Sequence, residues 1–317
     1  MKILITGGAG FIGANLTRHA EANGHDVAII DNLTTGYAEN LDGTNAALTV
    51  GDITDVATLT PLVAEVDAVV HLAARGSVPR SLEDPAATHV ANVNGTFNVL
   101  EASRSTSRAH VIMASSSSVY GANPELPKHE GLAPRPVSPY AASKLAGETY
   151  TIAYGSSFEL PTLAFRFFNV FGRLQTAGHA YAAVIPAFTD AALRGRPLTV
   201  HGDGTQSRDF THVSTVTTTL LRAVEERVTC DKPVNLAFGT RTSLNEVIEA
   251  LTDMVENPLV IENVESRAGD VAHSQADHSL LDSLMPGIEP VDFGTGLADT
   301  VAWMQSELAD LPAEIVI

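Results

Sequence analysis

The chain has 317 residues, of which 44% are hydrophobic and 18% charged, a composition typical of a globular protein with one large or two intimately joined domains. A formal net charge of −18 argues against a nucleic-acid partner, because that partner's phosphates would be repelled. The sequence contains no run of 18 or more apolar residues, so we expect neither a membrane span nor a membrane partner.

The amino terminus and the cysteine content bear on the cellular compartment. The opening sequence MKILITGGAGFIG begins like a strand and then breaks on glycines, unlike a signal peptide. The single cysteine, Cys230, excludes an internal disulfide and suits a reducing environment. We therefore expect a cytoplasmic protein.

Short apolar runs alternate with helical stretches in the first half of the chain. The predicted strands are KILIT, DVAIID, LTV before Gly51, DAVVHLA and AHVIMAS. Between them we predict helices over about 11–23, over 56–64, and along a long segment with Val93, Phe97 and Leu100 on one face. This alternation indicates parallel βαβ units, and the continuous apolar runs suit strands buried on both faces. The predicted fold class is α/β, with a Rossmann-type doubly wound parallel sheet.

The pattern changes after about Arg166, where helices become shorter and Pro and Gly breaks more frequent. This change predicts a smaller C-terminal α/β substrate lobe, and the lack of a Pro/Ser-rich linker predicts that the two parts interleave. We assign 1–166 to a Rossmann domain that binds a dinucleotide and 167–317 mainly to the substrate lobe. A return segment near 209–240, which includes the strand-like PVNLAF, is expected to rejoin the first sheet.

A glycine-rich turn follows the first strand. The sequence ITGGAGFIG places Gly7, Gly10 and Gly13 between strand and helix, where glycine permits a tight turn, close approach of a pyrophosphate and close packing of the helix. The helix N-terminus offers free N–H groups to the phosphates. A glycine-rich turn without a ligand is the alternative, and Asp31 at the end of the second strand argues against it.

Asp31 also indicates which dinucleotide binds. A carboxylate there can accept both hydroxyls of the adenosine ribose, and DNLTTG has no Arg or Lys to bind a 2′-phosphate. NAD is therefore favoured over NADP. Asp52 could reach the adenine edge, or it could instead be a helix N-cap.

SPYAASK places Tyr140 four residues before Lys144 near the start of a helix, so both side chains lie on one helical face. A free tyrosine, with a pKa of about 10, is a poor base at neutral pH. A lysine ammonium and an oxidised nicotinamide nearby would favour the phenolate. Such pairs occur by chance on many helices, but behind a glycine fingerprint in an α/β chain this one indicates a catalytic pair.

Several motifs together resemble the extended short-chain dehydrogenase/reductase family. They are TGGAGFIG, HLAA, the serine run before VYG, YAASK, RFFNVFG, GDGTQSRDFTHV and RAGDVAHSQAD, and they span nearly the whole chain. Within the family the chain looks most like the UDP-glucose (UDP-galactose) 4-epimerase group, which acts on nucleotide-diphosphate sugars with a permanently held NAD. The resemblance implies a UDP-sugar substrate and a homodimer formed through two long helices, at about 90–105 and 139–154.

The resemblance also implies catalytic roles. The family's catalytic Ser or Thr lies four residues before the tyrosine of VYG, which gives Ser116, and a capping or loop serine is the alternative. Ser116 would hydrogen-bond the sugar 4-hydroxyl while Tyr140 removes its proton, and Lys144 would hold the nicotinamide ribose. Related 4,6-dehydratases carry an Asp-Glu pair at the next two positions. Here these are Ser117 and Ser118, which cannot supply that acid–base chemistry, so dehydration is disfavoured.

The glycine fingerprint and the resemblance together give two sets of binding residues. Those expected at the cofactor are Gly7, Gly10, Phe11, Ile12, Gly13, Asp31, Asn32, Asp52, Ile53, Leu72, Ala73, Ala74, Asn92, Ser115, Tyr140 and Lys144. Those expected at the substrate are Ser77, Ser116, Ser117, Tyr140, Asn169, Val184, Arg208 and Arg267. A surface ion pair is the alternative for any single arginine, and Arg80 suggests either a carboxylate-bearing sugar or a plain helix start. The scattered histidines have no cysteine or clustered carboxylate beside them, so no metal is expected.

The predicted function is an NAD-dependent nucleotide-sugar 4-epimerase that interconverts UDP-glucose and UDP-galactose through a 4-keto intermediate while its bound NAD is recycled. The alternatives are an epimerase of UDP-glucuronic acid or a UDP-N-acetylhexosamine, or a nucleotide-sugar dehydrogenase or reductase. A non-catalytic NAD-binding sensor module is a further alternative, against which the intact Ser116, Tyr140 and Lys144 set argues.

Overall fold

The computed structural model describes residues 1–177, 183–265 and 273–309. Its strands are β1 (Lys2–Thr6), β2 (Asp26–Asp31), β3 (Ala47–Val50), β4 (Ala68–His71), β5 (His110–Ser116), β6 (Thr162–Phe167), β7 (Asn169–Phe171), β8 (Leu198–His201), β9 (Ser207–Arg208), β10 (Phe210–His212), β11 (Val234–Leu236), β12 (Thr242–Ser243) and β13 (Ile261–Val264). Its α-helices are α1 (Phe11–Ala22), α2 (Val56–Ala64), α3 (Val78–Glu83), α4 (Pro85–His89), α5 (Gly95–Ser105), α6 (Pro139–Phe158), α7 (Val184–Leu193), α8 (Val213–Glu225), α9 (Leu244–Thr252), α10 (Ser279–Leu284) and α11 (Phe293–Ala309). Short 3₁₀ turns lie at Ala38–Leu41 and Ser117–Tyr120, and a π-helical turn lies at Val90–Asn94.

A parallel sheet lies at the centre of the molecule, and its seven strands within the described residues follow the order β11-β6-β5-β4-β1-β2-β3. Strand β1 pairs with β2 on one side and with β4 on the other, so the strand order reverses between β1 and β4. Ligands of doubly wound sheets bind outside the carboxyl ends of the strands at such a reversal. The predicted fold class is confirmed.

Two buried apolar clusters cover the two faces of this sheet. Ile3 and Ile5 of β1 belong to one cluster, with α1 and α8, while Leu4 belongs to the other, with α2 and α5. This alternation follows the two-residue period of a strand. Because both faces are buried, β1 reads as a continuous apolar run rather than an alternating one.

A third apolar cluster lies beyond the sheet and joins α7, β8, α9 and α11 around Phe171 and Leu297. The chain also returns to the main sheet, because β11 pairs in parallel with β6. The described residues contain no helix that is long and apolar enough to cross a membrane.

The predicted apolar face of the helix that carries Val93, Phe97 and Leu100 is wrong. Leu100 is fully buried, but Phe97 is 40% exposed and packs edge-on against Tyr150 of α6, with ring centroids 5.9 Å apart. The π-helical turn at Val90–Asn94 has more residues per turn than an α-helix, so the face that begins at Val93 does not continue regularly into α5.

Candidate active site

The turn after β1 requires glycine at two positions. Gly7 has φ +73°, and a Cβ atom there would lie 2.7 Å from the backbone nitrogen of Ala73. A Cβ atom at Gly13 would lie 2.4 Å from the carbonyl oxygen of Gly7, so this glycine lets α1 approach the turn. Gly10 is the N-cap of α1 and has no side chain to occupy the first N–H groups of the helix. Those groups can therefore donate to phosphate oxygens, which fits a dinucleotide.

A cleft of about 630 Å³ opens beside this turn, along the carboxyl ends of β1, β2 and β4. The predicted cofactor residues that line it are Gly7, Gly10, Asp31, Asn32, Asp52, Ile53, Leu72, Ala73 and Ala74. The predicted residues outside its wall are Phe11, Ile12, Gly13, Asn92, Ser115, Tyr140 and Lys144. Wall residues that the sequence analysis missed are Ile30, Thr34, Thr35, Gly36, Gly51, Thr54, Arg75, Arg80, Glu83, Ala87, Val90 and Ala91.

Asp31 ties two loops of the cleft together. Its carboxylate accepts hydrogen bonds from the backbone N–H of Ala9 at 3.0 Å and of Leu33 at 2.8 Å. The side chain is almost fully buried yet lines the cleft. Since a carboxylate has about four acceptor positions, Asp31 keeps capacity for ribose hydroxyls.

Asp52 is not a helix N-cap. Its Oδ1 accepts from the N–H and the hydroxyl of Thr54, and its Oδ2 accepts from the side-chain amide of Asn32 at 2.8 Å. Partial burial raises its pKa, but these hydrogen bonds outweigh that effect and leave the pKa below its usual value. The cap of α2 is Asp55, whose carboxylate accepts from the Ala57 N–H at 3.1 Å. Asp52 closes a tight turn with Thr54 instead, and it faces the cleft.

Asn92 holds the wall of the cleft from behind. Its Oδ1 accepts from the Arg75 N–H at 2.7 Å, and its Nδ2 donates to the Ser143 hydroxyl at 2.9 Å. The side chain is 2% exposed, so it connects the segment after β4 to α6 inside the protein. Asn92 thus positions the segment that carries Arg75, whose side chain reaches the cleft.

Tyr140 and Lys144 lie in the first turns of α6, which Ser138 caps by accepting from the Ala141 N–H at 3.1 Å. The Lys144 ammonium is buried and donates to the carbonyl oxygen of Ala114 at 2.8 Å. Burial lowers the pKa of Lys144 to about 8. Burial raises the pKa of Tyr140, and a hydrogen bond with Ser116 opposes this rise. The protein environment by itself therefore does not favour the Tyr140 phenolate that the sequence analysis expects.

Ser116 has the capping role that was one of the two alternatives for it, and it also lies beside the predicted catalytic tyrosine. It ends β5, and its Oγ caps the following 3₁₀ turn by accepting from the N–H of Ser118 at 3.2 Å. The Ser118 hydroxyl lies 2.9 Å from the same oxygen. Ser116 also lies beside Tyr140 and acts to lower the pKa of that phenol. A capping serine and a serine beside the tyrosine are thus one residue.

The predicted substrate residues lie on several elements. Ser77 is the N-cap of α3 and is held at φ +92°, a strained conformation for a residue with a side chain and one that clusters at functional sites. Val184 begins α7. Arg80 lines the dinucleotide cleft together with Glu83, which favours a position beside the cofactor over the carboxylate-binding role that its sequence suggested.

Two further substrate candidates lie on short paired strands: Asn169 is on β7, which pairs with β10, and Arg208 is on β9, which pairs with β12. The backbone N–H and the side-chain amide of Asn169 both donate to the carbonyl oxygen of Asp209, each at 3.2 Å. Arg208 precedes Asp209 and donates to the Ser207 carbonyl at 3.0 Å. Arg267 lies outside the described residues. In the part of the chain that the structure describes, no cluster of His, Cys, Asp or Glu could hold a metal ion.

A buried ion pair beside Ser115 was not predicted from the sequence. Arg166 of β6 donates to the Glu148 carboxylate of α6 from Nε at 2.9 Å and from Nη2 at 2.6 Å. Both side chains are 2–3% exposed. The Oε2 atom of Glu148 also accepts from the Ser115 hydroxyl at 2.6 Å. An arginine inside the apolar strand LAFRF was the available signal, because a buried charge requires a partner.

Comparison with known proteins places this site in a family. The model described as the NAD dependent epimerase/dehydratase family matches residues 3–237. A UDP-glucose 4-epimerase of Mycolicibacterium smegmatis is 35% identical and the match covers 97% of this chain and 99% of that protein. A probable UDP-glucuronate 4-epimerase of Rhizobium meliloti is 32% identical, with 96% of each chain covered. The solved UDP-N-acetylglucosamine 4-epimerase of Methanobrevibacter ruminantium, in complex with UDP-N-acetylmuramic acid, superposes with a TM-score of 0.92 at 35% identity, covering 96% of this chain and 98% of that one. The chain belongs to the NAD-dependent epimerase/dehydratase family, whose members act on nucleotide sugars, and its cofactor is NAD.

Proposed function

We propose that the protein is an NAD-dependent UDP-sugar 4-epimerase that interconverts UDP-glucose and UDP-galactose. The observation that carries the proposal is the meeting of Ser116, Tyr140 and Lys144 at the carboxyl end of β5, followed by two hydroxyl side chains. The 4,6-dehydratases that the chain resembles carry acidic residues at those two positions, and Ser117 and Ser118 supply neither an acid nor a base near neutral pH. Chemistry confined to C4 of the sugar requires only the tyrosine, the serine and the cofactor.

The three side chains divide the work at the sugar 4-hydroxyl. Tyr140 accepts the hydroxyl proton, and Ser116 donates a hydrogen bond to the same oxygen. Bound NAD would supply a reversible hydride acceptor for C4 of the sugar, and Gly7, Gly10 and Asp31 of the cleft would help to hold it. Lys144 places a positive charge beside the nicotinamide ribose and supports the phenolate. Because the cofactor ends each cycle oxidised, no external oxidant is consumed.

The remaining assignments of the proposal concern the substrate and the assembly. Ser77, Asn169, Val184 and Arg208, with Arg267, bind the UDP-sugar in the lobe assigned to 167–317, while 1–166 with the return segment holds NAD. The similarity to the M. smegmatis UDP-glucose 4-epimerase favours glucose and galactose as the sugars. The single cysteine suits the cytoplasm.

We propose a homodimer formed through α5 and α6. The apolar side chains that these helices expose include Phe97 at 40%, Tyr150 at 42% and Phe158 at 44%. Neighbouring aromatic side chains of this exposure on two adjacent helices are typical of an association surface. The second copy would pair the same two helices, as a two-fold symmetric contact requires.

The test is turnover on a panel of UDP-glucose, UDP-N-acetylglucosamine and UDP-glucuronic acid, with and without added NAD. We expect conversion of UDP-glucose to UDP-galactose without added NAD, and slower conversion of the other two. Preferred conversion of UDP-glucuronic acid would retain the chemistry and reassign the sugar. The absence of any product from all three sugars, even with NAD added, would contradict the proposal.

A further inference from the structure

One face of α6 forms a ladder of contacts with the end of β5. Tyr140, Lys144 and Glu148 follow each other at one helical turn, so their side chains lie in a row. Each reaches a different residue of one short strand segment: Tyr140 lies beside Ser116, Lys144 donates to the Ala114 carbonyl, and Glu148 accepts from the Ser115 hydroxyl. The first two rungs involve proposed catalytic residues. The third has no role in the proposed chemistry.

The third rung is also the most firmly anchored of the three. The Glu148 carboxylate is held by two hydrogen bonds from Arg166, and β6 places Arg166 directly opposite Ser115 in the parallel register. The Arg166 guanidinium stacks over the ring of Tyr120, 4.6 Å from its centroid, and the Tyr120 hydroxyl donates to Asn235 at 2.7 Å. Glu148 is therefore fixed from α6, β6 and the turn after β5 at once.

We propose that Glu148 is a positioning residue for the epimerisation chemistry, acting through the Ser115 hydroxyl to hold Ser116 beside Tyr140. The inference rests on the proposed function, because it assigns Ser116 and Tyr140 to the reacting oxygen. Ser115 lies between Ala114, which Lys144 contacts, and Ser116, which lies beside Tyr140. Without its bond to Glu148, the end of β5 keeps its pairing in the sheet and the Lys144 contact at Ala114, but loses the side-chain hydrogen bond to α6 next to Ser116.

The first test removes the Ser115–Glu148 hydrogen bond and keeps the ion pair between Glu148 and Arg166. In Ser115→Ala the hydroxyl is lost while Glu148 and Arg166 retain each other. The matched control is Ser103→Ala, which deletes another buried hydroxyl, one that donates to the Ala109 carbonyl at 2.8 Å at the opposite end of the sheet. Both variants lose one buried hydrogen bond, so a purely structural role predicts similar behaviour for both.

Turnover per NAD-loaded site separates the two roles. We expect Ser115→Ala to lower kcat about tenfold, because small misplacements of reacting groups are costly, and to leave KM and the NAD affinity within about twofold. The acid limb of its kcat profile should move to higher pH, because the hydrogen bond from Ser116 that opposes the rise in the Tyr140 pKa is weakened. Ser115→Thr, which keeps the hydroxyl, should restore most of kcat. Equal kcat and equal pH profiles in Ser115→Ala and Ser103→Ala would overturn the proposal.

A second variant tests Glu148 without leaving a buried charge unpaired. The double substitution Glu148→Met with Arg166→Met replaces the ion pair by apolar side chains, a change that proteins often tolerate. We expect it to fold and bind NAD but to lose kcat about tenfold or more. Wild-type kcat in this variant would show that the ion pair only stabilises the fold.

Amide hydrogen exchange gives a readout that does not depend on the sugar. The peptide spanning 113–120 should exchange faster in Ser115→Ala than in wild type and should be unchanged in Ser103→Ala. Unchanged exchange at 113–120 in Ser115→Ala would overturn the positioning role by itself. Absence of turnover in the wild type would instead contradict the proposed function, so the two failures are distinguishable.

Discussion

Replacing Lys144 with methionine should remove a pH-dependent cost that this side chain imposes on folding. Lys144 is 6% exposed, and burial lowers its pKa from 10.5 to about 8. One pKa unit corresponds to about 1.4 kcal/mol, so the lowering corresponds to about 3 kcal/mol. Between pH 8 and 10.5 the unfolded chain binds a proton that the folded chain has released. Stability therefore rises with pH in this window, and below pH 8 the full cost of the buried charge remains.

The assay is the free energy of unfolding of wild type and Lys144→Met, from urea denaturation of protein freed of bound nucleotide. Relative to the variant, wild type should gain about 2–3 kcal/mol between about pH 7 and pH 10. The bond to Ala114 weakens when the ammonium loses its proton, and this change is already contained in the folded-state pKa of Lys144. The exposed Lys232 provides the control, and Lys232→Met should show no such gain. The reasoning would be refuted if the difference in free energy of unfolding between wild type and Lys144→Met stayed constant within about 0.5 kcal/mol over this range.

Four other outcomes are expected. Tyr140→Phe should retain NAD, measured by absorbance of the released nucleotide, but lose at least about 100-fold in kcat, and a near-normal rate would exclude Tyr140 as the base. NAD should bind at least about tenfold more tightly than NADP in calorimetry because Asp31 would repel a 2′-phosphate, and equal affinities would contradict this placement. Gly7→Ala should weaken NAD binding and lower Tm by several degrees, since its Cβ atom would meet the backbone of Ala73; an unchanged Tm would argue against the tight turn. Phe97→Asp should convert the dimer to a monomer in light scattering, and an unchanged mass would place the interface elsewhere.

The local patterns were enough to predict the fold and the glycine-rich turn after β1. Gly7 and Gly13 could be identified because their roles depend on the adjoining strand and helix, and Asp31 because it ends the next strand. Tyr140 and Lys144 share a helical face, so their proximity also follows from sequence spacing alone. Each of these inferences relates residues through one regular element or one short connection.

The sequence was less informative where distant segments meet. Arg80 and Arg75 reach the dinucleotide cleft only because α3 and the segment after β4 fold over it. Glu148 of α6 pairs with Arg166 of β6, an element that follows it in the chain. Phe97 does not share the buried face of Leu100, and a π-helical turn precedes it. Hydrophobic periodicity contains neither cross-element pairing nor changes in helical repeat, so these features required the three-dimensional structure.

The central claim is that hydride leaves and returns to C4 of a UDP-sugar on a cofactor that the enzyme retains. The measurement is incubation of the protein with UDP-glucose deuterated at C4, without added NAD, followed by NMR of the sugar products. The account predicts UDP-galactose that keeps the deuterium at C4, with no reduced cofactor released. UDP-galactose that has exchanged its C4 deuterium with solvent, or no UDP-galactose at all, would contradict it.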